Sequence, residues 1–260
     1  MINKDQLLQM RGDLSPFLIH LTRTGSVRIN KDIFPNAETD RLMLDAKQSL
    51  ESIIKDKMIK ARSPYGYFNY KVNIKRADGS FTNPGSQIER KWLVSVCFTE
   101  TPVDHVRLQC QAIVGRQLHF QLYGLAFFEN SVRREGGNPL FYVDGANESI
   151  KFALDQIPTQ PNCANFKGLM PFVEGFGRPL YQYMGQSTPN EIDFRWEREW
   201  RVGGHFKFEF SDVAFGLCKG ADISNFEKVV GGAFPFVDPT QDMKIVKEKL
   251  NKWAKLKDLK

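Results

Sequence analysis

The chain lacks the features that mark membrane, secreted and disulfide-stabilised proteins. It has no stretch of about 18 apolar residues, so no transmembrane helix is expected. Its first residues do not follow the basic-then-apolar order of a secretory signal. The four cysteines are scattered and form no Cys-x-x-Cys pair, which argues against a zinc site or a disulfide framework. A protein of the reducing cytoplasm, without membrane partners, is the expectation.

Several signatures of nucleotide, metal and hydrolase sites are also missing. The sequence contains no Gly-x-Gly-x-x-Gly, no Walker loop, no His-Glu-x-x-His and no Gly-x-Ser-x-Gly motif. Its four histidines lie apart in the chain and offer no metal-ligand spacing. We therefore expect no bound metal.

The composition is that of a soluble globular protein with a basic surplus. The 260 residues are 42% hydrophobic and 25% charged, enough for one large domain or two small ones. The net charge of +6 permits a polyanionic partner such as RNA or DNA. Part of this surplus comes from the lysine-rich residues 244–260, for which a solvated helix face is an equally good interpretation.

Apolar periodicity predicts short strands interleaved with a few helices. Strands are indicated at 17–22, 92–98, 122–128 and 139–143 and in several short runs up to residue 236; amphipathic helices are indicated at 37–59 and 240–257. Gly124 within a predicted strand indicates a bulge or the close approach of a ligand. Strand and helix do not alternate throughout, which argues against a doubly wound sheet. The pattern predicts one α+β domain over residues 1–260, with a split or strongly bent mixed sheet.

The most informative segment is Trp-Glu-Arg-Glu-Trp-Arg-Val at residues 196–202. As a strand, it would place Glu197, Glu199 and Arg201 on one face and both tryptophans on the other. Strands are usually poor in glutamate, so this face is typical of a carboxylate held at the edge of an apolar pocket. The alternative is a half-exposed strand in which Glu197 pairs with Arg201 at the surface.

Three segments together resemble a known family. They are Ile-His-Leu-Thr at 19–22, Cys-Phe-Thr-Glu-Thr at 97–101 and the glutamate segment at 196–201. A histidine on the first strand, a hydroxyl residue on a middle strand and a glutamate on a later strand resemble the layout of ADP-ribosyltransferases. The first segment, with a long helix behind it, resembles the start of DarT-type nucleic-acid ADP-ribosyltransferases.

A second likeness runs over most of the chain. Cys-Phe-Thr-Glu-Thr-Pro at 97–102, Tyr-Gly-Leu-Ala-Phe at 123–127, Gly-Asn-Pro at 137–139 and Glu-Trp-Arg at 199–201 resemble a bacterial group near the AbiGi abortive-infection proteins. Members of this neighbourhood act in phage defence, and they include an mRNA-modifying toxin of a toxin–antitoxin–chaperone system.

The resemblance implies roles for residues on three strands. Glu199 is expected to stabilise the positive charge that develops on a ribose when its bond to nicotinamide breaks. Glu197 is expected to help activate the acceptor, and Thr99 to bond the catalytic glutamate or the ribose. For Thr99 an ordinary strand-end threonine that satisfies a turn is the alternative.

NAD is the implied co-substrate. The resemblance makes His20 the holder of a ribose hydroxyl and gives the backbone around Leu21 and Thr22 contact with the nicotinamide amide. Many relatives have glycine where this chain has Leu21, and a satisfied core histidine is the alternative for His20. Tyr65 and Tyr67 lie in an aromatic-rich loop that is expected either to stack a nicotinamide or acceptor base or to pack on itself.

The resemblance thus implies an NAD-dependent ADP-ribosyltransferase toxin with a neutralising antitoxin as partner. Together with the basic charge it makes RNA the favoured acceptor, and the scattered cysteines indicate a cytoplasmic protein. An NAD glycohydrolase, which consumes NAD without a macromolecular acceptor, is the first alternative. A non-catalytic module that binds nucleic acid or a protein partner through a degenerate form of the same fold is the second.

Overall fold

The strands and helices are short, and they follow the mixed order that the sequence predicts. The structure is a computed structural model that describes residues 15–23, 45–64, 66–76, 78–110, 120–176 and 195–253. The strands are β1 (Phe17–Arg23), β2 (Met58–Ile59), β3 (Ser95–Thr99), β4 (Phe120–Phe128), β5 (Asn138–Pro139), β6 (Phe141–Asp144), β7 (Val173–Phe176), β8 (Glu199–Gly203), β9 (Phe206–Lys207), β10 (Val213–Leu217) and β11 (Phe236–Val237). The α-helices are α1 (Ala46–Asp56), α2 (Val103–Gln109), α3 (Glu129–Arg134), α4 (Glu148–Gln156), α5 (Ile223–Val229) and α6 (Met243–Lys252).

Seven of the strands form one mixed sheet in the order β11-β10-β4-β1-β3-β8-β5. β1 pairs with β4 from Phe17 opposite Phe128 to Arg23 opposite Phe120. By contrast, β1 and β3 share the single register pair Ile19 and Thr99. The sheet therefore opens between its two halves at this junction. The predicted α+β class, with a mixed sheet in a single chain, is confirmed.

The two faces of the sheet carry separate apolar cores. Leu18, Phe98, Phe127 and Trp200 belong to a cluster that packs against Leu50 of α1. On the other face, Ile19, Ala126 and Phe215 pack against Val246 and Leu250 of α6. Adjacent residues of β1 contribute to opposite cores, as strand alternation requires. The register of β1 is fixed because a one-residue slip would exchange the two sets.

Gly124 explains how β4 lies so close to β1. A Cβ atom at this position would lie 2.3 Å from the carbonyl oxygen of His20. No side chain is tolerated at that distance, because the contact is with backbone rather than with a flexible group. The close approach predicted for Gly124 is therefore that of the chain's own β1, and no ligand is needed to account for the glycine.

The ends of the two predicted amphipathic helices differ from expectation where the structure describes them. α1 begins at Ala46, with Asp45 as its N-cap in a capping box with Gln48; predicted helical residues 37–44 lie outside the described residues. α6 begins at Met243 with Asp242 as its N-cap, not near Thr240. Within the described ranges, no helix has the length and apolarity needed to cross a membrane.

Candidate active site around Glu199

The predicted strand at 196–202 is interrupted in the structure. Residues Arg195–Glu197 form a 3₁₀ turn, Arg198 adopts a left-handed φ of 48°, and β8 begins only at Glu199. The hydroxyl of Thr99 holds this bend by donating to the carbonyl of Glu197 at 2.6 Å. Glu197 therefore lies outside the regular strand that was predicted, although its charge acts on Cys97 and Tyr142, on which the charge of Glu199 also acts. The sequence gives no signal for a non-glycine residue with positive φ inside a strand-like pattern.

The three segments of the resemblance do lie on neighbouring strands. Ile19 pairs with Thr99 across β1 and β3, and Thr99 pairs with Glu199 across β3 and β8. Directly opposed residues in antiparallel strands project to the same face. Thr99 and Glu199 therefore share a face, whereas His20, one residue beyond Ile19, projects to the other. The structure brings two of the three predicted side chains together and separates His20 from them.

Glu199 lies in a sheltered cluster of charges centred on Arg201. The Nε and Nη2 atoms of Arg201 donate to the two oxygens of Glu199 at 2.8 and 3.0 Å. Nη2 also donates to Oε2 of Glu174 at 3.2 Å, and Nη1 donates to the carbonyl of Pro171 at 2.8 Å. The side chains of Arg201, Glu174 and Glu199 are 2%, 4% and 12% exposed. One guanidinium therefore binds two carboxyl groups, and all three side chains are largely shielded from bulk water.

This cluster contains more acidic than basic groups, because the carboxyl groups of Glu174 and Glu199 share the guanidinium of Arg201. Burial raises the pKa of Glu174 to about 7, although Arg201 acts in the opposite direction. Burial alone would lower the pKa of Arg201, but Glu199, Cys97 and Glu174 together raise it above its ordinary value. Arg201 is thus always cationic. Above its pKa Glu174 is ionised, and the one guanidinium then faces two carboxyl groups.

Two further side chains adjoin Glu199. Cys97 is opposite Arg201 in the register of β3 and β8. Burial and the neighbouring Glu199 raise the pKa of the Cys97 thiol well above its usual range, so the thiol stays protonated and bonds the carboxylate. The Tyr142 hydroxyl of β6 accepts a hydrogen bond from the backbone N–H of Glu199 at 3.3 Å. These contacts fix the first residue of β8.

The sequence alone did not predict that Glu174 and Tyr142 belong to the site, or that Arg201 binds the carboxyl groups of both glutamates. Glu174 lies on β7, four residues long, inside a stretch of sequence without clear periodicity. Its pairing with Arg201 joins positions 27 residues apart. The Glu-x-Arg spacing at 199 and 201 was a usable signal for the first pair. No comparable local pattern pointed to Glu174.

Glu174→Gln is expected to remove a pH dependence of stability. The folded-state pKa of about 7 lies above the ordinary value of 4.5, so the native state retains the proton between these limits. Native stability should therefore fall as pH rises from 4.5 to 7, by about 1.4 kcal/mol per unit of raised pKa. Urea unfolding at pH 5 and pH 8 measures this loss. An equal loss in wild type and variant would contradict the assignment.

The Thr99 hydroxyl is fully occupied by the protein itself. Besides donating to Glu197, it accepts from Nε2 of Gln109 at 3.0 Å and from the backbone N–H of Thr101 at 3.2 Å. A hydroxyl has one donor and two acceptor positions, so none is left for a ribose. Thr99 thus acts as the turn-satisfying threonine of the alternative interpretation, and its hydroxyl does not bond the Glu199 carboxylate.

Leu21 and Thr22 continue β1 beyond His20. Leu21 is buried opposite Gly124, and the Thr22 hydroxyl points to the carbonyls of Ala46 at 2.8 Å and Tyr123 at 2.9 Å. Thr22 therefore ties the start of α1 to β4. The expected backbone contact of Leu21 and Thr22 with a nicotinamide amide stays a prediction.

Tyr67 belongs to a third apolar core rather than to a ligand surface. Its ring is 1% exposed and packs with Phe68, Met170 and Val173, while its hydroxyl donates to Asp155. Burial first, and then Asp155, raise the pKa of this hydroxyl far above its usual range. The prediction that Tyr67 stacks a base is wrong, and self-packing is the correct alternative. Tyr65 lies outside the described residues.

His20 is a neutral residue at the open junction of the sheet. Its Nδ1 lies 2.8 Å from the carbonyl of Cys97, and its ring meets Phe98 edge-on at 5.9 Å between centroids. Burial lowers its pKa to about 4, with Arg23 and Arg62 acting in the same direction. Because a carbonyl only accepts, Nδ1 carries the proton. His20 thus supplies a hydrogen bond to β3 at the place where the β1–β3 ladder ends.

His20→Ala is expected to lower the free energy of unfolding by about 1–2 kcal/mol, since the Cys97 carbonyl loses its donor. His20→Asn, whose amide replaces the Nδ1–H, should lose less. Because His20 faces away from Glu199, we expect His20→Asn to retain the activity proposed below. Thermal melts and activity assays on the two variants check this. Loss of activity in a stable His20→Asn variant would restore the ribose-binding role.

The comparisons with known proteins leave the chain unplaced. No family model matches it, and neither a curated protein nor a solved structure matches it either. Among the described residues, no group of three or more histidine, cysteine, aspartate or glutamate side chains is placed to hold a metal ion.

Proposed function

We propose that the protein is an NAD-dependent ADP-ribosyltransferase toxin that modifies nucleic acid, with RNA as the favoured acceptor. The observation that carries this proposal is the sheltered Glu199 carboxylate, clamped by Arg201 at the start of β8 and opposite Thr99 on the neighbouring strand. A fixed carboxylate in a low-dielectric site is the group that the chemistry of ribosyl transfer requires.

The proposed reaction breaks one bond and forms another at C1′ of the ribose attached to nicotinamide. The electron pair of the C1′–N bond leaves with nicotinamide, and positive charge develops on the sugar. An acceptor atom then supplies the pair for the new C1′ bond and releases its proton to water. Glu199 accepts a hydrogen bond from a ribose hydroxyl and opposes the positive charge electrostatically. Arg201 and the Cys97 thiol occupy three of the four lone-pair positions of the Glu199 carboxylate, which leaves one for a ribose hydroxyl.

The charge of the cluster supports this assignment. When the C1′–N bond breaks, positive charge moves from the nicotinamide ring to the ribose. Two glutamates around one arginine stabilise that charge at its new position, and the interaction is strongest where water is excluded. Arg201 and the Glu199 backbone contact with Tyr142 limit movement of the carboxylate. Little reorganisation is then required when the charge develops.

The acceptor and cellular context form the second part of the proposal. The net charge of +6 permits a polyanionic acceptor such as RNA. We place the protein in the cytoplasm, in defence against phage, with a neutralising antitoxin that covers the NAD cleft. This context rests on the family resemblance.

The test is incorporation of label from NAD. The purified full chain is incubated with NAD labelled in its adenylate half and with separate pools of RNA, DNA and protein. We expect label in the RNA pool. Free ADP-ribose as the sole product would instead identify a glycohydrolase. Intact NAD in all pools, from folded protein, would overturn the enzymatic proposal in favour of the binding module.

A further inference from the structure

Arg201 binds Glu174 and Glu199 through the same nitrogen atom. Its Nη2 lies 3.0 Å from Oε2 of Glu199 and 3.2 Å from Oε2 of Glu174. The two carboxyl groups differ in their other contacts, because Glu199 also binds Nε of Arg201, whereas Glu174 accepts from the backbone N–H of Gly175 at 3.1 Å. Both glutamates therefore compete for one end of the guanidinium.

The backbone around Glu174 fixes it beside the start of β8. β7 pairs in parallel with β6, where Tyr142 is the register partner of Glu174. The Tyr142 hydroxyl in turn accepts from the backbone N–H of Glu199. The carbonyl of Pro171, three residues before Glu174, accepts from Nη1 of Arg201 at 2.8 Å. β7 is thus linked to the start of β8 in two ways besides the ion pair.

The charge of Glu174 changes near neutral pH, whereas that of its neighbours does not. Burial raises the pKa of Glu174 to about 7 against the effect of Arg201, and the charge of Glu199 acts in the same direction as burial. Arg201 stays cationic. The Cys97 thiol and the Tyr142 hydroxyl keep their protons, because burial raises the pKa of each.

The charged groups on the other side of β7 have a different partner. The 3₁₀ turn Tyr67–Lys71 packs against β7. The Tyr67 hydroxyl and the Lys71 ammonium both bind Asp155 of α4. The ion pair that Glu174 makes is therefore with Arg201, and its proton bears on the Glu199 side of the strand.

We propose that Glu174 is a positioning residue of the transferase, which acts on Glu199 by competing with it for the guanidinium of Arg201. This role rests on the proposed function and adds a regulation of the same site. While Glu174 is protonated, Arg201 neutralises the Glu199 carboxylate most fully. Once Glu174 is ionised, it shares Arg201 with Glu199, which then opposes positive charge on the ribose more strongly.

The rate of the proposed reaction is therefore expected to rise with pH around 7. One additional negative charge close to the reacting sugar is expected to raise the rate about tenfold. The positive charge reaches the ribose only as the bond to nicotinamide breaks. We therefore expect the change in kcat, with the KM for NAD nearly constant.

The test is the pH profile of nicotinamide release from NAD by the full chain, between pH 6 and pH 8. Glu174→Gln keeps an oxygen that accepts from Arg201 but has no proton to lose in this range. We expect kcat of this variant to stay near the low-pH level of the wild type, and Glu174→Asp, which keeps a titratable carboxyl, to retain the rise. The control is Glu148→Gln, whose side chain on α4 is 81% exposed and which should follow the wild type.

The shape of the profile separates positioning from a purely structural role. Loss of a structural contact would lower kcat by the same factor at every pH, so parallel profiles of wild type and Glu174→Gln would overturn the proposal. Folded wild type that releases no nicotinamide at any pH would instead overturn the transferase function, and the positioning role with it.

A second measurement needs no turnover. Infrared difference spectra between pH 6 and pH 8 should show a protonated carboxyl band in the wild type that is missing from Glu174→Gln. A wild-type spectrum without this band would overturn the proposal whatever the rates. The band together with absent turnover would leave the proton on Glu174 and remove the transferase function alone as its explanation.

Discussion

Glu199→Gln is expected to lower the rate of ADP-ribosyl transfer by about 10²–10³-fold, the usual effect of removing one group that stabilises transition-state charge. The variant should fold, because glutamine is nearly isosteric and Glu174 still neutralises Arg201. Initial rates of label incorporation from NAD, together with thermal melts of the same samples, measure both expectations.

The matched control is Glu197→Gln, two residues earlier. The structure uses the backbone carbonyl of Glu197, which accepts from Thr99, and the side chain lies on the 3₁₀ turn rather than on β8. We expect this variant to retain its rate. Equal losses in Glu197→Gln and Glu199→Gln would give Glu197 the acceptor-activating role implied by the family resemblance. Full activity in Glu199→Gln would refute the site itself.

Arg201→Met is expected to destabilise the fold by about 3–5 kcal/mol. The substitution keeps an apolar stem of similar length but leaves Glu174 and Glu199 buried without a counter-charge. Removing one partner of a buried ion pair costs far more than the pair contributes. Urea unfolding followed by tryptophan fluorescence measures the free energy of unfolding of the variant and the wild type.

Lys60→Met provides the comparison for a surface ion pair. Lys60 lies 3.4 Å from Asp56 with its side chain 62% exposed, so its removal should cost well under about 1 kcal/mol. Adding Glu174→Gln to Arg201→Met should recover part of the loss, because one buried charge is then removed as well. A loss in Arg201→Met no larger than that in Lys60→Met would mean that the cluster is hydrated and does not hold Glu199.

The sequence predicted which segments of this site are strands better than it predicted which side chains meet there. Alternation over residues 199–202 correctly placed Glu199 and Arg201 on one face, because that part of the segment is a regular strand. It failed at Glu197, because the bend at Arg198 is imposed by contacts with β3, which are distant in sequence. The alternation of apolar and polar residues along one segment carries no information about contacts with a distant strand.

Contacts between distant segments also explain why the sequence misplaced His20 and did not reveal Glu174. The sequence correctly predicted strands at the histidine and hydroxyl segments and over part of the glutamate segment. That these strands are neighbours, and which face each side chain occupies, depends on pairing and register. A shift of one residue decides whether His20 or Ile19 lies on the Glu199 face. Glu174 was beyond prediction because only the folded chain brings β7 to Arg201.

The outer strands of the large sheet restrict how another protein can bind it. In the described part of the chain both edges, β5 and β11, are two residues long, and β5 includes Pro139, which has no N–H to donate. A peptide that joins a sheet as an extra strand needs a longer row of backbone donors and acceptors. If the proposed neutralising protein exists, it is expected to recognise side chains on the faces and loops of the described part rather than backbone groups along the two edges of the sheet.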